Sequence, residues 1–510
     1  MAATSARVQA AYDELSERHR AIALLSSTRA VLEWDLETKM PEAGAVHRSR
    51  QISDLAGRIH AEATHPRVAE LLALLNEPGA LATEGPLEAT QVNVTRWTRA
   101  HRRESQLERA WVEELAEATS LAHGAWAAAR AANDFAAFAP HLSTVLSLKQ
   151  REARALADGG DGWDALLDDF EPGMTGALLD ALFAPLAVGL RDLSSALAGA
   201  ARRPRVDVLR RSVPVPLQRT FVLRVLDRIG YDTRRGRLDT SAHPFSTKLG
   251  PHDVRITTRF YEHDLTEGLF GALHEVGHAL YDLGLPEEHF GTPRGEATSY
   301  GVHESQSRLW ENLVGRSPAF WQAFYPELRA TWPGILDDVS ADEFVLAINA
   351  VEPGANRVRA DEVTYNLHIF VRFQLERALL SGDLAVADLP GAWDEAYATV
   401  LGVRPPSHAE GCLQDGHWAA GLFGYFPTYT LGNMMAAQIY GAAQTAISDL
   451  EGRIGRGDVA TLREFLGARV HTVGQSFDGE GLIREVCGAP LDAAPLVRTL
   501  RDKYERLRLI

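Results

Sequence analysis

The sequence predicts a mainly α-helical protein that also contains a small amount of β structure. From the start to about residue 200, the chain is rich in Ala, Leu, Arg and Glu, and its apolar residues recur with the 3.6-residue period of a helix. The later part of the chain, up to Ile510, is again mainly helical by the same criterion. Between these regions, Asp253-Val-Arg-Ile-Thr-Thr-Arg-Phe260 alternates apolar and polar residues as a strand does.

Turn signals divide the N-terminal helical region, residues 1–200, into a set of long helices. We expect loops at Pro41, Pro78-Gly79, Gly85-Pro86 and Gly159-Gly160. In the later helical region we expect loops at Gly382, Pro390 and Pro405-Pro406.

An arginine-rich segment, residues 202–237, follows the N-terminal helical region. A nucleic-acid-binding protein would need such a cluster, but here apolar residues separate the arginines. The chain as a whole has 52 basic and 68 acidic residues, and this formal charge of −16 repels polyanions. A solvated helix face is therefore favoured, and we expect no nucleic acid and no membrane as a partner.

The predicted strand has apolar Val254 and Ile256 on one face and Arg255 on the other. A strand of this kind could hold an extended peptide through backbone hydrogen bonds. The alternative is a half-buried edge strand whose arginines are solvated. The sequence does not choose between these two interpretations.

The segment His274-Glu-Val-Gly-His278 places two imidazoles four residues apart, with a carboxylate directly after the first. A helix turns by about 100° per residue, so both imidazoles and the carboxylate of Glu275 converge on one face. Two neutral imidazoles can bind Zn²⁺, and the carboxylate can then act as a base toward water. The apolar run Leu269–Tyr281 contains no proline and predicts a mostly buried helix. The alternative is a pair of hydrogen-bonded core histidines beside a solvated glutamate.

A third metal ligand must come from another segment. Gly277 is unfavourable inside a helix by up to about 1 kcal/mol relative to Ala, which suggests that another element approaches closely there. No His follows at a suitable spacing, so a carboxylate is the natural ligand. Glu304 begins a second predicted helix and lies on a polar stripe with Ser307, Arg308 and Glu311, which makes it the favoured candidate. The other candidates are Asp282, Glu287, Glu288, Glu296 and Glu311.

Composition and cysteine usage favour a cytoplasmic protein. Cys412 and Cys487 are the only cysteines and lie far apart, so neither a disulfide framework nor a cysteine zinc finger is supported. The first residues lack the apolar core of a secretory signal. The segment between Asp415 and Asp449 is uncharged, but Pro427 and many polar residues make it a buried segment that lines a cavity rather than a membrane span.

These residues resemble the carboxypeptidase Taq family of metallocarboxypeptidases, which is similar to other gluzincin peptidases in its zinc chemistry. The resemblance covers most of the chain, and ordered motifs carry it: His243-Pro-Phe245, Asp253-Val-Arg-Ile-Thr257, His274-Glu-Val-Gly-His278, His303-Glu-Ser-Gln306, Arg357-Val-Arg-Ala-Asp361, Gly411-Cys-Leu-Gln-Asp-Gly-His-Trp418 and Gly424-Tyr-Phe-Pro-Thr-Tyr429. Asn356 departs from the aliphatic residue that is usual in the family, and this affects only local packing.

The resemblance implies a zinc ion held by His274, His278 and Glu304, with Glu275 as general base and then general acid. It also implies a mainly α, zincin-like helical fold with two lobes, a deep active-site groove and a small β-sheet, assembled as a homodimer. The implied activity is removal of single C-terminal amino acids with broad preference, except before proline. We expect one catalytic unit, residues 1–510, with an N-terminal helical region (1–200) and a zinc-site region (201–510).

An exopeptidase must also recognise a free carboxylate, which a guanidinium matches with two parallel donors. Arg357 is the first choice because of the motif resemblance, and Arg255 and His243 are further candidates. A structural ion pair is the alternative for each arginine. His417 and Tyr425 could donate hydrogen bonds to the oxyanion, although buried Tyr and His residues usually serve only structure.

Other functions remain open at this point. An oligopeptidase or a dipeptidyl carboxypeptidase on the same scaffold would use identical metal chemistry. An inactive peptide-binding or metal-binding scaffold would retain the ligands for stability. The expected cofactor is one Zn²⁺ per subunit, with Co²⁺ as the alternative ion, and the expected partners are peptides with a free C-terminus.

Overall fold

The structure is a computed structural model that describes residues 2–81 and 89–510. The described residues form twenty α-helices. The first ten are α1 Ala2–Thr38, α2 Ala45–Ala63, α3 Pro66–Leu75, α4 Ala89–Ser105, α5 Arg109–Ala132, α6 Phe135–Leu156, α7 Gly162–Leu167, α8 Gly176–Ala198, α9 Val215–Ile229 and α10 Glu267–Gly284. The others are α11 Tyr300–Arg308, α12 Pro318–Thr331, α13 Ala341–Ile348, α14 Tyr365–Ser381, α15 Leu389–Val400, α16 Pro427–Ala446, α17 Leu450–Gly455, α18 Ala460–Arg469, α19 Gly479–Cys487 and α20 Ala494–Arg506. The predicted mainly α class is confirmed.

The expected loops are mostly found between these helices, as at Pro41 and at Gly159-Gly160. Gly85-Pro86 lies outside the described residues. The loop expected at Pro390 is wrong, because this proline lies in the first turn of α15. A helix tolerates proline there, since its first N–H groups have no intrahelical acceptor in any case.

A single three-stranded sheet accompanies the helices in the described part of the chain. Its strands are β1 Leu238–Thr240, β2 Ser246–Gly250 and β3 Asp253–Thr258, in the order β1-β3-β2. The predicted strand is confirmed as β3, but it is central rather than at an edge. β3 pairs in parallel with β1 and antiparallel with β2, with Leu238 and Ser246 both opposite Ile256. Its backbone is therefore already paired on both sides, which rules out the suggestion that it adds a peptide as a further strand.

The chain divides into two compact units, each built from three separate segments. Unit 1 comprises Met1–Ser105, Arg205–Ile348 and Ile439–Pro490, and unit 2 comprises Gln106–Pro204, Asn349–Gln438 and Leu491–Ile510. The expected change of region after residue 200 falls close to the change of unit after Pro204. The change after Ser105 has no counterpart in the sequence-based division.

In unit 1, α10 packs against β3, α9 and α11. Asp264 precedes this helix, and its Oδ1 accepts hydrogen bonds from the backbone N–H groups of Thr266 (2.9 Å) and Glu267 (3.2 Å). These bonds satisfy donors that the first turn would otherwise leave without a partner. Leu273 and Val276 of α10 are fully buried. The predicted buried helix is thus confirmed.

In unit 2, α14 is buried along most of its length and packs against α8 and α15. The uncharged segment after Asp415 includes α16, whose residues 431–438 in this unit are all buried, as the sequence predicts. One described helix, α8, is long and apolar enough by length and composition to cross a membrane. Leu186 and Leu190 are buried on the face that packs in unit 2, whereas Leu178 and Val188 are exposed, so only one stripe of α8 is buried.

Candidate active site

The two histidines of the α10 motif lie on one face of the helix, as their spacing predicts. Nε2 of His274 and Nε2 of His278 are 3.3 Å apart, and both side chains are half-buried. Glu275, between them in sequence, is 6% exposed. Two imidazole nitrogens and a buried carboxylate thus occupy the inner part of α10.

Glu304 approaches this pair from α11. Its Oε2 lies 3.7 Å from Nε2 of His274 and 3.5 Å from Nε2 of His278. A Cβ atom added at Gly277 would lie 2.4 Å from the carbonyl oxygen of Gln306, which belongs to the backbone of α11. The close approach predicted at Gly277 is therefore confirmed, because only a glycine lets the two helix backbones meet at this point.

These three side chains fit a divalent metal ion. Among the described residues they form the one group of three whose ligand atoms all lie within 4.8 Å of one another. Ligand atoms that bind a tetrahedral zinc ion at about 2.0–2.1 Å are separated by about 3.3–3.4 Å. The observed separations of 3.3, 3.5 and 3.7 Å are close to this value. Two imidazoles and one carboxylate are also a donor set found in catalytic zinc sites.

Glu311 and Arg308 support two of the three candidate ligands. Nδ1 of His274 lies 2.9 Å from Oε2 of Glu311, which also accepts a hydrogen bond from Nη1 of Arg308 at 3.2 Å. Nε of Arg308 donates to Oε1 of Glu304 at 2.6 Å. Since His274 donates its Nδ1 proton to a carboxylate, its Nε2 lone pair is left for the metal. The predicted polar stripe, from Glu304 in α11 to Glu311 in the π-helical turn Leu309–Val314 that follows, thus faces inward.

His278 has a different support. Its Nδ1 lies 2.5 Å from Nδ1 of His303, and the ring centroids are 4.5 Å apart with the ring planes inclined by 25°. Nε2 of His303 lies 3.3 Å from Oδ1 of Asp282. Because Asp282 accepts the Nε2 proton of His303, Nδ1 of His303 is free to accept from His278. Nε2 of His278 is then also the nitrogen that faces the metal position.

The buried position of Glu275 suits a proton carrier. Burial raises the pKa of Glu275 to about 7; the charge of His274 opposes this shift, and the charges of Glu304 and Glu311 add to it. A carboxyl group with a pKa near neutrality can both accept and return a proton under ordinary conditions.

Unit 2 contains a second charged cluster, around Asp415. Oδ1 of Asp415 accepts hydrogen bonds from Arg357 at 3.1 Å (Nε) and 2.7 Å (Nη2), and Oδ2 accepts one from Nε of Arg372 at 2.7 Å. Arg357 also donates to the hydroxyl of Tyr365 at 3.0 Å. Burial alone would raise the pKa of Asp415, but the two guanidinium groups outweigh it and hold this pKa well below its usual range. Two positive charges thus share one carboxylate.

His417 and Tyr425 belong to the same cluster as Arg357. Nε2 of His417 lies 3.1 Å from the hydroxyl of Tyr429, and the guanidinium of Arg357 lies 5.1 Å from the Tyr429 ring. Tyr425 makes edge contacts with the rings of Tyr429 and Phe170, at centroid distances of 5.4 and 5.1 Å. Burial lowers the pKa of His417 to about 4, so its imidazole is neutral at physiological pH.

His243 and Arg255 lie apart from this cluster, in unit 1. His243 is exposed in the connection between β1 and β2, and the adjacent Pro244 lies next to Gly271 in the first half of α10. Arg255 on β3 forms a two-point ion pair with Asp253, with N to O distances of 2.9 and 2.7 Å. Its guanidinium also lies 4.4 Å above the ring of Trp34. The structure thus places these two candidates in a different unit from Arg357, His417 and Tyr425.

Comparison with known proteins shows to which family the chain belongs. The family model for the carboxypeptidase Taq (M32) metallopeptidases matches residues 14–504. The chain belongs to this family. Thermostable carboxypeptidase 1 of Thermus thermophilus is 46% identical over 508 residues, which are 98% of this chain and 99% of that protein.

Two further relatives match this chain over nearly its whole length. Carboxypeptidase 1 of Bacillus subtilis is 35% identical over 485 residues, 95% of this chain and 96% of that protein. The crystal structure of the M32 carboxypeptidase from Deinococcus radiodurans R1 superposes with a TM-score of 0.94 at 40% identity, covering 98% of this chain and 100% of that one. The chain is thus a metallocarboxypeptidase by family, and the predicted resemblance is confirmed.

The sequence did not indicate the supporting roles of several residues that complete the two clusters of this M32 chain, although Asp282 and Glu311 were among the candidate ligands. Glu311 was considered only as an alternative ligand, although its position seven residues after Glu304 places it on the same helix face. Asp282, four residues after His278, carried the same signal. Asp415 lies within the motif Gly411–Trp418, but nothing in the sequence indicated its contact with Arg372, which joins segments distant in sequence.

Proposed function

We propose that this M32 chain is a zinc-dependent carboxypeptidase that removes single C-terminal amino acids from peptides, with broad preference except before proline. The observation that carries this proposal is the 3.3–3.7 Å triangle of His274, His278 and Glu304 with the buried carboxylate of Glu275 beside it. Zinc is favoured by the imidazole and carboxylate donors, and cobalt is a second possible occupant of the same donor set.

The residues of the candidate site have three different roles in the proposed reaction: metal binding, proton transfer and orientation of the ligands. His274, His278 and Glu304 would hold the ion, which when bound lowers the pKa of water and polarises a carbonyl oxygen. Glu275 takes the proton of the attacking water and then returns it to the leaving amine. Glu311, Arg308 and His303 keep the ligand side chains in orientation through the contacts described above.

Arg357 is our candidate for binding the C-terminal carboxylate of the substrate. Arg357 and Arg372 bring two positive charges to the single carboxylate of Asp415, so this buried cluster has an excess of positive charge. Such an excess favours an anionic ligand, and the Asp415 contact holds the Arg357 guanidinium in a fixed plane. Arg255 and His243 remain secondary candidates; the Asp253 ion pair already engages Arg255.

His417 and Tyr425 are our candidates for donors to the oxyanion of the reaction. His417 is neutral by its lowered pKa and so has an N–H to donate without carrying a charge. Tyr425 is held by ring contacts on two sides, which limits the rotamers that its hydroxyl can reach. Preorganised neutral donors of this kind are effective at a site where negative charge develops.

We also infer a cytoplasmic homodimer that acts on peptides with a free C-terminus and has no nucleic acid or membrane as a partner. The formal charge of −16 supports this choice of partners. Arginines of the 202–237 segment are engaged in ion pairs with acids of the chain itself, as in the pairs Arg211–Asp338 and Arg234–Asp232. Such pairing favours a structural role for this segment over a binding stripe.

The test combines metal analysis of the purified protein with timed release of products from an unmodified peptide, before and after chelation. We expect about one zinc per chain and single amino acids that appear in order from the C-terminus, with loss of activity on chelation. Larger fragments would indicate a dipeptidyl carboxypeptidase or an oligopeptidase. A metal-loaded protein without hydrolysis would indicate an inactive scaffold.

A further inference from the structure

Glu376 is a fully buried carboxylate of α14 that belongs to neither of the clusters described above. Its Oε1 accepts hydrogen bonds from the indole N–H of Trp163 at 2.9 Å and the backbone N–H of Gly424 at 2.5 Å. Its Oε2 accepts one from the indole N–H of Trp418 at 2.7 Å. A single side chain thus joins α14, α7 and both ends of the segment 418–424.

No basic side chain among the described residues forms an ion pair with Glu376. The lysine of the neighbouring helix α6, Lys149, pairs with Glu152 instead. Burial therefore raises the pKa of Glu376 to about 7, and the three hydrogen bonds only partly offset this shift. A buried carboxylate without an ionic partner is costly, so its presence calls for a specific role.

The two donors from segment 418–424 are adjacent to the candidate oxyanion donors. Trp418 directly follows His417, and Gly424 directly precedes Tyr425. Gly424 has a φ of 88°, and a Cβ atom there would lie 2.7 Å from the backbone nitrogen of Leu167. The chain before Tyr425 is therefore held between the end of α7 and the carboxylate of Glu376.

We propose that Glu376 is a positioning residue that fixes His417 and Tyr425 for catalysis by tying down both ends of the segment between them. This inference rests on the proposed function, because it assumes that these two side chains assist the reaction. Glu376 touches neither of them and acts through Trp418 and Gly424. A displacement of either donor by about 1 Å is enough to slow a reaction that depends on its position.

The carboxylate is the side chain that this arrangement requires. Three N–H groups point at its two oxygens, and the ionised form of the carboxylate offers acceptor sites only. The amide of a glutamine would turn an NH₂ group toward at least one of these donors. Glu376→Gln therefore keeps the shape of the side chain and breaks at least one of the three tethers.

The experiment compares Glu376→Gln with Trp418→Phe, which removes one donor and leaves the carboxylate in place. We expect each variant to lower kcat by about tenfold or more, with little change in KM and no change in metal content. Hydrogen exchange of the backbone of residues 415–425 should become at least about tenfold faster, while α10 and α11 stay protected. If Glu376→Gln does not fold, Trp418→Phe decides the question by the same measurements.

Glu362→Gln is the matched control, since Glu362 is a buried carboxylate of the same unit that holds Lys503 and Tyr504 of α20 instead. It should lower thermal stability without changing kcat or exchange in residues 415–425. Unchanged exchange and kcat in Glu376→Gln or Trp418→Phe, with an active parent protein, would overturn the inference. So would equal effects in Glu362→Gln. A parent protein without turnover would instead overturn the proposed function. Hydrogen exchange would still show whether Glu376 holds residues 415–425 in place.

Discussion

Nδ1 of His274 and Oε2 of Glu311 lie 2.9 Å apart, so a carboxylate outside the candidate ligand set determines which nitrogen of His274 faces the metal. Burial alone would raise the pKa of Glu311, but Arg308 and the His274 hydrogen bond outweigh it and lower this pKa to about 2. Glu311 is therefore ionised at any pH at which the protein is expected to work, and it always acts as an acceptor.

Glu311→Gln should lower metal affinity by about 10- to 100-fold, because the amide can offer an NH₂ to His274 and favour the wrong tautomer. Competition with a chromogenic chelator measures the affinity directly. Glu287→Gln is the control, since Glu287 is exposed and its carboxylate forms an ion pair with the exposed His252. Equal affinities of the two variants would contradict a supporting role for Glu311.

Gly277→Ala should weaken both the fold and the metal site. The added Cβ would lie 2.4 Å from the Gln306 carbonyl oxygen, so α11 must move away and take Glu304 with it. We expect a loss of about 1–3 kcal/mol in the free energy of unfolding, together with weaker metal binding. Gly467→Ala in α18 is the control, because nothing lies within 4 Å of its added Cβ. It should be neutral or stabilising by up to about 1 kcal/mol.

Asp415→Asn should destabilise the protein by about 3–5 kcal/mol at neutral pH, since it leaves Arg357 and Arg372 buried without a counter-charge. The folded-state pKa of Asp415 is well below its usual value of 3.8, so its stabilisation is present above about pH 4 and is lost as the pH falls toward that lowered pKa. Urea unfolding at several pH values measures both effects. The variant should lose less stability on acidification than the parent protein, and an equal loss would contradict this account.

Arg357→Ala should raise KM for peptides with a free C-terminus much more than for their C-terminally amidated counterparts. The reason is that only the free carboxylate can pair with a guanidinium, a contact worth about 1.5–3 kcal/mol. Parallel kinetics on the two peptides measure the difference. Equal increases for both peptides would show that Arg357 serves only its ion pair with Asp415.

Local spacing was sufficient to predict which side chains of the candidate metal site lie close together, because these side chains obey short-range rules. The His274–His278 spacing fixes one helix face, Gly277 signals a close helix contact, and the Glu304 stripe identifies the partner helix. The sheet was harder, since the order of strands depends on pairing that the β3 sequence does not contain. Its central position emerged only from the structure.

Contacts between distant segments explain what the sequence could not predict. Arg357 meets Asp415 across 58 positions, and Glu376 meets Trp163 across 213. No periodicity links such pairs, so an ion pair for Arg357 could be considered but its partner could not be named. The division into two units, each built from three separate segments, also depends on contacts between residues that are distant in sequence.

The most direct test of the central claim is the metal content and kcat of Glu275→Gln, measured on the same preparation. We expect metal content equal to that of the parent protein and a kcat reduced by several orders of magnitude, since the proton carrier is lost while His274, His278 and Glu304 are unchanged. Full metal content with near-parental kcat would contradict the assignment of Glu275 as the base and, with it, the mechanism proposed for this site.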